Sequence, residues 1–174
     1  MAEAVAARPS GLPAMSRAGL ARLIALILPL ALLGGALGSQ YLGGLHPCEM
    51  CYWQRWPHGA AIAAAALAFT APAESSRSRN LTLLAALAIT ISGIIGVYHA
   101  GVEAKIFEGF TQCTTLATGG STADMLKQIT AAPLVRCDQV QWSFLGISMA
   151  GWNAVLSLGG AAAIFFLTLK GLRR

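Results

Sequence analysis

The sequence predicts an all-α integral membrane protein, a four-helix bundle with two extracytoplasmic loops that carry its cysteines. Three observations predict it. Apolar residues make up 56% of the chain and charged residues only 11%, whereas about a quarter of a water-soluble domain is charged. Four apolar runs approach the roughly 20 residues that a helix needs to cross a bilayer core. The basic residues gather at alternate ends of those runs, as short loops on the cytoplasmic side require.

The elements follow in order along a single membrane domain, 1–174. The first span covers residues 20–42 and holds no charge beyond Arg22 near its start. Arg17 and Arg22 ahead of an apolar run that ends in small residues also sketch a signal peptide. The apolar stretch is longer than a signal core, so a retained span is expected. The second span, 56–73, is shorter and Ala-rich, and closes at Thr70-Ala-Pro-Ala73. The third covers 81–98 and the fourth 147–169. Gly and Ala recur in all four, as expected where helices approach closely in lipid. The outer loops are then 43–55 and 99–146.

Charge sets the orientation. With both termini inside, Arg8, Arg17, Arg22, Arg77, Arg79, Lys170, Arg173 and Arg174 lie on the cytoplasmic side. Arg55, Lys105, Lys127 and Arg136 lie outside, among Glu49, Glu103, Glu108, Asp124 and Asp138. The same scatter of small basic groups excludes a nucleic-acid footprint, which needs a basic face or stripe. In this orientation Cys48, Cys51, Cys113 and Cys137 all fall in the outer loops, where an oxidising compartment permits disulfides.

The first loop reads Leu45-His-Pro-Cys-Glu-Met-Cys-Tyr-Trp-Gln-Arg55. Cysteines three apart can form a small disulfide or hold a metal. Just before a helix they gain from its partial positive charge, which stabilises a thiolate. Arg55 has two readings. It is an interfacial arginine whose stem lies in the apolar layer, or the cation that keeps Cys51 ionised and steadies charge on an electron acceptor. Tyr52, Trp53 and Trp56 fit an interfacial aromatic belt. Pro57 implies either that the helix begins there or that it kinks.

The second outer loop is too long for a simple connector. It holds Cys113 and Cys137, too far apart for a compact zinc knuckle. Between them Ser121-Thr-Ala-Asp124 has the form of a capping box. Met125, Leu126 and Ile129 then line one side of an expected amphipathic surface helix. His99 follows the third span at the level of the CxxC pair. His46 and His58, with Cys48 and Cys51, make four nominal zinc ligands, but their spacing is irregular between Pro47 and Pro57, and no metal site is expected.

Three stretches together carry a resemblance: Pro47-Cys-Glu-Met-Cys-Tyr-Trp-Gln-Arg55, Tyr98-His-Ala-Gly-Val-Glu103 and Cys137-Asp-Gln-Val-Gln-Trp-Ser-Phe-Leu-Gly146. From the first span to the fourth, the chain resembles the disulfide bond formation protein B family. This is the quinone-linked partner of the periplasmic oxidant DsbA, a pair known to keep the periplasm oxidising. The resemblance implies a bacterial inner-membrane enzyme that reoxidises a DsbA-like thioredoxin-fold protein and passes electrons to ubiquinone or menaquinone. It places the outer disulfide on Cys113 and Cys137 and the quinone-proximal pair on Cys48 and Cys51. It puts the quinone-assisting arginine on Arg55 and a histidine near the quinone on His99. The family's relay implies that a partner thiolate attacks Cys113, that electrons pass to Cys48–Cys51, and that Cys51 delivers them to quinone. Two rival readings are a membrane protein stapled by static loop disulfides and an enzyme of the vitamin K epoxide reductase type. In the latter the CxxC pair comes late, the reverse of the order here.

Overall fold

A computed structural model describes residues 15–109, 121–124 and 136–170. Its framework is four long helices: α1 (Arg17–Tyr41), α2 (Glu49–Ala68), α3 (Ser76–Glu103) and α4 (Met149–Lys170). Each of the first three is started by a side chain that accepts a backbone N–H left unpaired at the helix end. Ser16 accepts from Gly19, Cys48 from Cys51, and Ser75 from Ser78.

The helices alternate in direction, so their ends separate by chemistry. Arg17, Arg22, Arg77, Arg79 and Lys170 lie at one end. Arg22 donates to the Ala71 carbonyl at 3.1 Å and sits over the Phe69 ring, tying α1 to the α2–α3 turn. Cys48, Cys51, His99 and Cys137 lie at the other end.

The interior is built from small residues. Ala21 and Ala25 of α1, Ala61 and Ala65 of α2, Ala85, Ala86 and Ile89 of α3, and Ala161 and Ile164 of α4 form one core. The large apolar side chains point outward instead, Ile27, Leu30, Leu84, Ile94 and Phe166 among them. Such inversion suits helices that pack on small faces and present large ones to lipid. By length and composition, α1, α3 and α4 can each cross a membrane. The protein is mostly helical, with three membrane-spanning candidates among the described residues. The fourth expected span, α2, is not among them, because Glu49, Gln54, Arg55 and His58 dilute its first half.

The helices also begin and end elsewhere than the apolar runs do. Residues 49–55, expected in the first outer loop, form the opening turns of α2, which closes at Ala68 rather than at 73. Capping by Cys48 starts the helix early, and Pro57 lies inside it, where it removes a single backbone hydrogen bond. Likewise α3 runs from Ser76 to Glu103, beyond 81–98 at both ends. The long outer loop ends in a small antiparallel hairpin that an all-α reading omits: β1 (Ser143–Phe144) pairs with β2 (Ile147–Ser148). Its turn residues Leu145 and Gly146 both have positive φ, 52° and 78°, the twist that two-residue hairpin turns require.

At Gly96, α3 packs against the backbone of α4. A Cβ on Gly96 would stand 3.1 Å from the Ala150 carbonyl oxygen and the Ala154 nitrogen. Backbone cannot yield as a side-chain tip can, so Gly96→Val should lose about 1–3 kcal/mol of stability by overpacking. Gly159→Ala, which meets nothing within 4 Å, should be neutral or slightly stabilising. Thermal unfolding of both variants in detergent checks the contrast, and equal midpoints would refute it.

Candidate active site

The site forms where the start of α2, the end of α3 and the segment before the hairpin meet. Cys48 is the N-cap of α2, Cys51 lies in its first turn, and His99 lies in the last turns of α3. Cys137 is brought in by the segment before the hairpin. Cys48 and Cys137 are each only 4% exposed and pack with Met50 and Val102, with Cys51 and Tyr98 alongside. The Cys48 and Cys51 sulfurs are 3.0 Å apart, and His99 Nε2 is 3.5 Å from Cys48 Sγ. All three cysteines are free thiols. The structure therefore joins Cys137 to the CxxC pair. Cys113 lies outside the described residues.

Ionic contacts hold the Cys137 segment. Asp138 accepts from Lys105, just past the end of α3, at 2.6 Å, and from Arg136 at 2.7 and 2.9 Å. Arg136 and then Lys105 hold the Asp138 carboxyl far below the usual carboxylate range. That carboxylate therefore stays ionised, and the tether intact, at any physiological pH.

The sulfurs differ in their readiness to ionise. Cys137 is drawn down from 9.0 to about 6, first by a hydrogen bond from the Cys48 thiol and then by the backbone N–H groups of Met50 and Glu49. Cys48 is pushed up, because its proton is shared with Cys137 and with Cys51. At neutral pH the reduced cluster is thus a Cys137 thiolate beside a neutral Cys48 thiol. The sign is direct: a lowered thiol is ionised above about pH 6 and neutral below it. Alkylation of Cys137 in reduced protein should accelerate through a midpoint near 6, as read by mass spectrometry. A midpoint in the ordinary thiol range, roughly 8.5, would remove the thiolate.

Cys51 faces a cavity of about 660 Å³, a size that accommodates a small organic ligand. Arg55, His58 and His99 line it with Cys51, and Leu32 and Met149 face them. Arg55 is not a free interfacial cation. It donates to the Gln40 side chain and, at 3.1 Å, to the Ala36 carbonyl, with Tyr52 stacked 5.2 Å away. The guanidinium thereby bridges α2 to the end of α1 along the cavity wall.

Among the described residues, the group with metal-ligand spacing is Cys48, Cys51 and His99, whose ligand atoms lie within 4.8 Å of one another. This is not the set with His46 and His58 weighed from the sequence. His58 instead turns inward, with Nε2 at 2.9 Å from both Asn153 Oδ1 and Ser92 Oγ. The capping contacts of Ser121 and Asp124 are formed, while Met125, Leu126 and Ile129 lie outside the described residues.

Sequence reasoning missed Gln54, Ser92 and Asn153. They form a polar cluster, with Gln54 and Ser92 buried and Asn153 half-buried, joining α2, α3 and α4 behind His99. A signal was available for Ser92 and Asn153, polar residues inside expected apolar spans, where buried polar groups need partners; Gln54 fell in the expected outer loop.

Comparison with known proteins is consistent along most of the chain. A "Disulfide bond formation protein B" of Shewanella sp. (strain MR-4) is 29% identical over 140 residues, 78% of each chain. One of Polaromonas sp. is 32% identical, over 71% of this chain and 74% of its own. One of Mannheimia succiniciproducens is 31% identical, over 70% and 68%. No solved structure gives a significant match. The family described as disulfide bond formation protein DsbB matches residues 18–167, a range that runs from α1 into α4 and holds every cysteine, and the chain belongs to that family.

Proposed function

We propose that this protein is a quinone-dependent dithiol oxidase of the bacterial inner membrane, which reoxidises a periplasmic DsbA-type thioredoxin-fold protein. In this reading α2 is a fourth span, both termini are cytoplasmic, and the cysteine end faces the periplasm. The supporting observation is the placement of Cys137 against Cys48, with Cys51 of the same CxxC at the wall of a cavity shared with Arg55.

The relay begins when a thiolate of the reduced partner attacks Cys113 in a Cys113–Cys137 disulfide. A mixed disulfide forms at Cys113, and Cys137 leaves as a thiolate. The second partner thiol attacks its own sulfur in that mixed disulfide and releases the partner oxidised. Hydrogen bonds from Cys48 and backbone N–H groups favour the thiolate at Cys137, so it is a good leaving group and, once docked, a competent nucleophile. In the oxidised CxxC pair it attacks Cys48 Sγ. A Cys48–Cys137 disulfide forms as the Cys48–Cys51 bond breaks, and Cys51 leaves as a thiolate at the cavity wall. The freed Cys113 thiolate then attacks Cys137, restoring their disulfide and releasing Cys48.

The residues there suit a quinone head, with a guanidinium for a carbonyl oxygen, a thiolate beside it and apolar α1 for a tail. Bound quinone, ubiquinone or menaquinone, would supply the two-electron acceptor. Purified protein given a reduced DsbA-type partner should reduce quinone catalytically. A folded protein inactive with several partners and both quinone classes would overturn the reading.

A further inference from the structure

The polar cluster behind the cysteines has a fixed hydrogen-bond direction. Gln54 is 7% exposed and His99 3%, so neither can turn to water. Gln54 Nε2 lies 3.1 Å from the Met50 carbonyl oxygen and 2.8 Å from His99 Nδ1. A backbone carbonyl can only accept, which identifies the Gln54 amide nitrogen. At its other side Gln54 Oε1 accepts from Asn153 Nδ2 at 2.8 Å. Asn153 is oriented in turn by donating to the Ser92 carbonyl at 3.2 Å and accepting from Ser157 Oγ at 3.1 Å. Three helices thus agree on which atom of Gln54 faces His99, and it is a donor.

A donor at Nδ1 requires a lone pair there, so the neutral ring carries its proton on Nε2. What surrounds Nε2 agrees. Cys48 Sγ is 3.5 Å and Glu103 Oε1 3.9 Å from Nε2, and with Nδ1 taken by Gln54 the ring's hydrogen bond to the Cys137 backbone falls to Nε2. Each of these can accept a hydrogen bond, and Cys48 in a disulfide can only accept. The same proton denies Nε2 to a metal ion, which needs that lone pair.

We infer that Gln54 is a positioning residue: it holds the His99 proton on Nε2, and that N–H gathers the Cys137 backbone and the Cys48 sulfur for disulfide exchange. The inference rests on the reading of Cys137 and Cys48 as exchange partners. In that step the Cys137 thiolate forms a bond to Cys48 Sγ, the Cys48–Cys51 bond breaks, and its electron pair leaves on Cys51. His99 transfers no proton. It keeps nucleophile and target in register, and with the proton on Nδ1 instead, its Nε2 lone pair would face the Cys137 carbonyl and repel it.

The test uses the full chain, labelled with ¹⁵N-histidine in micelles, with His99 assigned by loss of its signal in His99→Gln. Wild type should show the Nε2–H form. Gln54→Glu has the same shape but presents an acceptor, so the proton should move to Nδ1. Transfer of the Cys48–Cys51 disulfide to Cys48–Cys137, followed by mass mapping, should slow about tenfold. Asn153→Asp is the second variant, should the first fail to fold. Its carboxylate draws the Gln54 amide nitrogen away and turns Oε1 toward His99, with the same switch expected. Gln54→Leu, which removes the donor without supplying an acceptor, should not move the proton to Nδ1. An Nδ1–H form in wild type, or an unchanged tautomer in Gln54→Glu and Asn153→Asp, overturns the inference. Neither readout uses quinone or the thiol partner, so a failure here is distinct from a failure of the proposed activity.

Discussion

Serine in place of Cys51 should stop quinone reduction, to below about one-thousandth of the wild-type rate. A serine hydroxyl is not ionised at neutral pH and cannot form or leave a disulfide, so no electron pair arrives at the cavity wall. The informative measurement is the stoichiometry of partner oxidation beside the rate. Cys51→Ser should still oxidise one equivalent of reduced DsbA-type protein per chain, through Cys113 and Cys137, and then halt. Cys113→Ser should oxidise none, because the partner's thiolate has no sulfur to attack. If Cys51→Ser turned over quinone normally, Cys51 would not be the terminal thiol. If Cys113→Ser still oxidised its partner, the outer relay would be wrong.

Arg55→Ala should weaken quinone use by about ten- to a hundredfold, most of it in KM. The guanidinium spends two of its N–H groups on Gln40 and on the Ala36 carbonyl, which fixes it along the cavity wall and leaves further donors for a ligand oxygen. Hydrogen bonds to a charged group contribute about 1.5–3 kcal/mol each, and losing one accounts for a change of that size. Arg55→Lys should rescue only part of it, since an ammonium keeps the charge but lacks the planar fork that spans both anchors. Michaelis constants for a short-chain quinone, compared across the three proteins, check this. An unchanged KM in Arg55→Ala would make the residue only a strap between α1 and α2.

How far the site was legible depended on how local each feature is. The CxxC, its position at a helix start and the alignment of Arg55 four residues on could be read along the chain, because neighbours in sequence stay neighbours in a helix. The point where α2 begins could not. The apolar run begins near residue 56, yet the Cys48 cap and the surrounding packing carry the helix back to Glu49 across residues that look like loop. The approach of Cys137 to Cys48 was not legible for a related reason. Family resemblance pairs Cys113, which lies outside the described residues, with Cys137; the folded chain sets Cys137 against Cys48, and the proposed relay uses both arrangements.

By itself the sequence determined the helical membrane class, the gathering of Arg17, Arg22, Arg77, Arg79 and Lys170 away from the cysteines, and the chemistry available at the cysteine end. Each of these follows from composition, hydropathy and charge, which are sums over residues and survive ignorance of contacts. Only the tertiary structure decided which thiol ionises and which nitrogen of His99 carries the proton. Those depend on partners separated by 45 residues, as for Gln54 and His99, or by 99, as for Gln54 and Asn153. A hydrogen bond is directional and acts over about 3 Å, so no pattern along the chain encodes it until packing has brought the two groups together.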